Sequence, residues 1–151
     1  ALQIDDHAAI LIGSPLLGFF VASATGMLRD VPEFQNLRND ANPIMVLGAA
    51  SPHVIDVASA YATFAANGIY AKPYLVSQVL GSNGGVLYEG KPQTQEVFAA
   101  DVIADLTYSL TKVVTGGTGG AALSLGRPAA GKTGTSQSNA SAWFSAYTPQ
   151  L

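Results

Sequence analysis

The stretch Ala130-Gly131-Lys132-Thr133-Gly134-Thr135, followed at a short interval by Ala142-Trp143-Phe144, holds the residue types of this chain best suited to chemistry. A lysine among small residues, then Thr-Gly-Thr, suits a strand edge that must hold a carboxylate. The ammonium supplies charge, the Thr133 and Thr135 hydroxyls donate hydrogen bonds, and Gly134 lacks the side chain that would keep another backbone away. The same letters allow a second reading. Gly126-Arg127-Pro128-Ala129-Ala130-Gly131-Lys132-Thr133 fits the phosphate-loop pattern G-x-x-x-x-G-K-[ST], in which loop amides and a helix N-terminus face a nucleotide.

The flanking elements decide between the two. A phosphate loop needs a buried strand before it and a helix after it. Here Ala121-Ala122-Leu123-Ser124-Leu125 is a weak strand at best, and Gly134-Thr135-Ser136-Gln137-Ser138-Asn139 carries turn formers with no apolar residues at helical spacing. Ala142-Trp143-Phe144-Ser145-Ala146-Tyr147 then reads as a strand rich in aromatics. Residues 129–151 therefore form a strand–turn–strand unit, and the nucleotide reading is set aside.

The rest of the chain must position that unit. Ser51 is a good N-cap, with Pro52 at the first helical position. Val54, Val57, Ala58, Tyr61, Phe64 and Ala65 then fall on one helical face, expected to be buried, and Asn67-Gly68 closes the helix. Two short strands, residues 75–80 and 86–88, flank Ser82-Asn83-Gly84-Gly85 as a hairpin, because Asn-Gly favours positive φ. A second helix over about residues 98–114 carries Val102, Ile103, Leu106, Leu110 and Val113 as its buried stripe, and Thr115-Gly116-Gly117-Thr118-Gly119-Gly120 ends it as a flexible loop. Tyr61, Phe64 and Trp143 read as core residues. Helices combined with a late antiparallel pair make an α+β arrangement.

Composition narrows the function classes. The 151 residues are 48% hydrophobic and only 11% charged, so part of the surface is expected to be covered by other protein. A net charge of −3 without a basic cluster argues against nucleic acid. The chain has no cysteine, which rules out disulfides and thiolate metal sites. His7, beside Asp5 and Asp6, reads as a solvated acidic turn in preference to a metal site. The uncharged run of residues 8–28 is broken by Gly13-Ser14-Pro15 and Gly18. It reads as two short buried helical pieces in preference to a membrane span, which needs roughly 20 apolar residues.

Four stretches in order carry a family resemblance: Ser51-Pro52-His53 through Ala66-Asn67-Gly68-Ile69-Tyr70; Lys72-Pro73-Tyr74; Val113-Val114-Thr115-Gly116-Gly117-Thr118-Gly119; and residues 129–151. Together they resemble the C-terminal part of the transpeptidase domain of class A penicillin-binding proteins, covering about residues 48–151. The resemblance implies a serine β-lactamase-like fold, an antiparallel sheet flanked by helices. It also implies a peptidoglycan D,D-transpeptidase that works through a serine acyl-enzyme, is acylated by β-lactams and needs no cofactor. By resemblance, Lys132 attracts the terminal carboxylate of a D-Ala-D-Ala stem peptide and helps pass a proton to the leaving group. Thr133 and Thr135 bind that carboxylate, the Thr135 backbone N–H is one oxyanion donor, and Gly134 admits the substrate backbone.

The same family uses S-x-x-K and S-x-N motifs. The lone S-x-x-K string, Ser109-Leu110-Thr111-Lys112, lies late in the second helix and off its apolar stripe, so Ser109 reads as a surface serine; S-x-N does not occur. The chain is accordingly expected to be a partial domain, residues 1–151, inactive alone and completed by an upstream segment that carries both motifs. Its expected place is the outer face of the bacterial membrane. Ser141 stands where the family commonly has an acid, and Ala146 where it commonly has glycine. Two rival readings remain: a non-catalytic D-Ala-D-Ala- or penicillin-binding module, and a D,D-carboxypeptidase or β-lactamase relative.

Overall fold

The computed structural model describes residues 52–136, 138 and 140–150. The readings made for residues 1–51, including the Ser51 cap, the acidic turn at His7 and the run 8–28, lie outside them. Helix α1 spans Val54–Ala65 and helix α2 Ala100–Gly116. Strands are β1 (Ile69–Ala71), β2 (Gln78–Leu80), β3 (Val86–Glu89), β4 (Thr94–Glu96), β5 (Ala130–Thr135) and β6 (Ala142–Tyr147). They pair antiparallel as β1–β4, β2–β3 and β5–β6. The α+β class holds, with three two-stranded ladders among the described residues, two of which are the expected hairpin and the expected late strand pair.

Helix α1 starts later than the Ser-Pro signal implies. His53 is its N-cap, and the His53 carbonyl accepts from the Asp56 and Val57 N–H groups at 3.0 and 3.2 Å. Its end follows the expectation: Asn67 takes φ 53°, the Asn67 N–H donates to the Phe64 carbonyl at 3.1 Å, and the Gly68 N–H donates to the Thr63 carbonyl at 2.9 Å. This paired closure satisfies carbonyls that the last turn would leave open. The buried stripe of α1 is Asp56, Ser59, Ala60 and Thr63, not the large apolar residues. Small side chains at i, i+3, i+4 and i+7 permit close approach, and Thr63 satisfies its hydroxyl on the Ser59 carbonyl at 2.9 Å.

The apolar face of α1 looks instead into an open groove. Val54, Val57, Ala58 and Tyr61 line one side and Trp143, Phe144 and Tyr147 of β6 line the other, around a volume of about 500 Å³. Trp143 is therefore 45% exposed and Val54 67% exposed, which corrects the core assignment for both. Phe64 and Tyr61 stay half-buried in edge-to-face contact, 5.5 Å between centroids. The first hairpin strand begins at Gln78 and not at Leu75; Leu75, just before it, is 98% exposed, and Leu87 within the hairpin is also exposed. That pattern agrees with a chain of low charge whose surface other protein covers.

Helix α2 buries Ile103, Leu110 and Val114, whereas Val102 is exposed. It packs on β5, and α1 packs on β6. Its last turn runs on to Gly116, beyond the expected end. A 3-10 helix, Gly120–Leu125, then replaces the weak strand considered there. Val114, Ala122 and Ala129 form a buried cluster that seats the start of β5. Tyr147 ties both helices to the strands: its hydroxyl is 2.7 Å from that of Thr107 on α2, and its ring lies 6.3 Å from that of Tyr61 on α1.

Candidate active site

Strand β5 contains the whole lysine motif and changes character along its length. Ala130 and Gly131 are buried; Lys132, Gly134 and Thr135 are exposed, and Thr133 is half-buried. A Cβ on Gly131 would stand 2.6 Å from the Ala146 Cβ and 2.8 Å from the Ser145 carbonyl oxygen, so close strand packing demands glycine there. A Cβ on Gly134 would meet only the Trp143 Cβ at 3.8 Å, an ordinary contact. Packing within the described residues therefore explains the first glycine and not the second.

The register pairs Lys132 with Ser145, Thr133 with Phe144, Gly134 with Trp143 and Thr135 with Ala142. Alternation along the strand puts Lys132 and Gly134 on one face and Thr133 and Thr135 on the other. Among the described residues β5 has β6 as its one strand partner, and none pairs with its other edge. The Lys132 ammonium donates to the Thr133 carbonyl at 2.8 Å and keeps the side chain along that strand. Among the described residues no α-helix follows Thr135 before β6 begins at Ala142, and the phosphate-loop reading fails on geometry.

Two groups beside the motif were not singled out in the sequence. Thr118, on the turn after α2, brings its hydroxyl into hydrogen-bond contact with that of Thr133. Ser136 closes the β5–β6 turn: its N–H donates to the Ser141 carbonyl at 3.0 Å and its hydroxyl accepts from the Ser141 N–H at 2.8 Å. The two side-chain hydroxyls also meet at 3.1 Å, which gives Ser141 a side-chain partner across the turn. Both contacts join residues close in space through turns, where periodicity carries no signal.

Ser109 is exposed, and its hydroxyl donates to the Asp105 carbonyl at 3.0 Å in the preceding turn of its own helix. The Lys112 ammonium lies 4.6 Å from the Tyr108 ring centroid, engaged with the ring face. Neither is directed at the lysine motif. Burial raises the Tyr61 and Tyr147 phenols above their ordinary value, with the neighbouring Tyr147 adding to the effect on Tyr61 and the Thr107 hydrogen bond opposing it on Tyr147. Among the described residues no group of acidic and histidine side chains is placed to hold a metal, and no helix is long and apolar enough to cross a membrane.

With this geometry in view, residues 50–150 match the penicillin-binding protein transpeptidase domain. The chain belongs to that family. Penicillin-binding protein 1A of Mycolicibacterium smegmatis is 42% identical over 113 residues, covering 71% of this chain and 14% of the relative. The Mycobacterium tuberculosis protein of the same name is 40% identical over 114 residues, with the same coverage of each. Among solved structures, the penicillin-binding protein PonA1 from Mycobacterium tuberculosis superposes with a TM-score of 0.74 at 33% identity, over 91% of this chain and 39% of that one. The chain thus spans about one seventh of the length of those curated relatives.

Proposed function

We propose that this segment supplies the carboxylate-binding and oxyanion side of a serine acyl-transfer site in a peptidoglycan D,D-transpeptidase. The nucleophile comes from polypeptide that carries S-x-x-K and S-x-N upstream of this sequence. Lys132 holds positive potential where the terminal carboxylate of D-Ala-D-Ala arrives and helps deliver a proton to the departing D-Ala amine. Thr133 and Thr135 donate hydroxyl hydrogen bonds to that carboxylate. The serine oxygen attacks the penultimate D-Ala carbonyl, the oxyanion gathers charge against the Thr135 N–H, and collapse expels D-Ala and leaves the acyl-serine. An amine of a neighbouring stem peptide then takes the acyl group. A β-lactam enters the same path through its ring amide and stays attached, because its leaving amine remains tethered.

The observation that carries this reading is the contrast within β5, a packed inner end running into a largely exposed Lys-Thr-Gly-Thr stretch whose second glycine has no packing cause among the described residues. The solved PonA1 relative, 32% identical, is also known in complex with penicillin V. Such an enzyme works at the outer face of the bacterial membrane, where its peptidoglycan substrate lies.

Labelling of the full-length protein with a fluorescent penicillin, followed by peptide mapping, tests the reading. The expected adduct is on a serine outside residues 52–150. An adduct on Ser109 would overturn the assignment of the nucleophile. Reversible binding without any adduct would favour a penicillin-binding module.

A further inference from the structure

Thr118 lies outside the lysine motif, yet its hydroxyl meets the Thr133 hydroxyl. The turn that carries it is held tightly. Helix α2 ends at Gly116, Gly117 is extended at φ −121° and ψ −155°, and the Gly119 N–H donates back to the Val113 carbonyl at 2.9 Å. A Cβ on Gly117 would come within 2.9 Å of the Val113 carbonyl oxygen. A Cβ on Gly119 would lie 3.1 Å from that oxygen and 3.2 Å from a ring carbon of Phe144. Phe144 is the residue directly opposite Thr133 in the ladder. Gly117 therefore lets the turn close on the end of α2, Gly119 lets it lie against the strand pair at the level of Thr133, and Thr118 is the side chain between them.

We infer that Thr118 is a positioning residue that orients the Thr133 hydroxyl toward an anionic ligand; this rests on the carboxylate role proposed for Thr133. A threonine hydroxyl has one proton to donate and two lone pairs to accept with, and an ionised carboxylate only accepts. Without a ligand either hydroxyl of the pair can be the donor. Once Thr133 gives its proton to a carboxylate, the remaining bond has one possible sense: Thr118 donates and Thr133 accepts. The chain Thr118 O–H to Thr133 O–H to carboxylate polarises in one direction, which strengthens the outer bond and removes the freedom of the Thr133 rotor. A hydroxyl at position 118 therefore favours anionic ligands selectively.

The test uses the full-length protein, Thr118→Val and Thr118→Ser, with acylation rates measured for a penicillin carrying its free carboxylate and for the methyl ester of the same penicillin. The unaltered protein is expected to prefer the acid. In Thr118→Val that preference falls by about fivefold through slower acylation by the acid, the scale of one lost hydrogen bond to a group serving a charge, while the ester rate holds. Thr118→Ser restores the preference. Thr118→Ala, which removes the hydroxyl without adding a branched methyl, repeats the loss. An unchanged preference in Thr118→Val, or equal slowing of acid and ester, overturns the positioning role alone. Equal rates for acid and ester in the unaltered protein would instead overturn the carboxylate role of Thr133, and this inference with it.

Discussion

Gly131 and Gly134 occupy one strand, and their surroundings differ in kind. The first is buried opposite Ala146 with no room for a methyl group, whereas the second is exposed and would accept one without a clash. Ala130 and Gly131 belong to the packing of α2 and β6, and the stretch from Lys132 to Thr135 has β6 as its one strand partner among the described residues, with the other edge proposed for a ligand. Strand sequence is thus divided between folding at one end and chemistry at the other. Both the Ala146 Cβ and the Ser145 carbonyl oxygen crowd position 131, which leaves it no tolerance for a side chain.

The largest effects should fall on either side of that division. Lys132→Ala in the full-length protein is expected to slow penicillin acylation more than tenfold, about 1.4 kcal/mol or more of transition-state stabilisation, with thermal stability within about 0.5 kcal/mol of the parent. Unchanged acylation would remove the role assigned to the ammonium. Gly131→Ala should do the reverse and destabilise by about 1–3 kcal/mol through overpacking, read as a lower midpoint in denaturant. Adding Ala146→Gly should recover part of that loss, because the Ser145 carbonyl at 2.8 Å remains in the way. Gly134→Ala is the direct counterpart: stability within about 0.5 kcal/mol of the parent, with acylation slowed. Equal stability losses at 131 and 134 would erase the distinction.

Smaller effects test how the strand pair is anchored. Tyr147→Phe removes the bond to Thr107 and is expected to cost about 1 kcal/mol. Its pH dependence has a defined sign. The Tyr61 and Tyr147 phenols ionise later in the folded state than their ordinary value of 10.0, so the folded chain holds more protons above that value. Stability is then level below pH 10.0 as far as these groups contribute, and falls as pH rises beyond it. In Tyr147→Phe that alkaline fall should be shallower, as measured by thermal melts across pH 9 to about 11.

The elements that a sequence reader finds most easily here were those with local causes. Asn67-Gly68 closes α1 because its left-handed backbone suits Asn and Gly, and Gly84 turns the hairpin at φ 77° for the same reason. The β5–β6 pair follows from the turn-forming run between two β-prone stretches. Burial was harder. The apolar stripe of α1 points into a groove while Ser59, Ala60 and Thr63 are covered, because hydrophobic spacing reports what must be shielded and says nothing of which neighbour shields it. Trp143 is exposed for the same reason. At the candidate site, the lysine motif announces itself by composition, but Thr118 and Ser136 gain their place from turns that bring hydroxyls together, and single polar letters in glycine- or serine-rich runs carry no such mark.

The junction at Gly68 has a consequence for how this chain can vary. The Gly68 carbonyl accepts from both the Val97 and Phe98 N–H groups, at 2.9 and 3.3 Å, and a Cβ on Gly68 would lie 2.2 Å from the Phe98 carbonyl oxygen. The excursion through β1 to β4 thus leaves and rejoins the chain at a single stitched point. Like a pendant on a clasp, it can be lengthened at its Asn83-Gly84 tip, shortened or recoloured with new side chains while the clasp keeps α1 and α2 at their stations. Changes confined to that pendant are expected to leave β5 and its lysine motif in place.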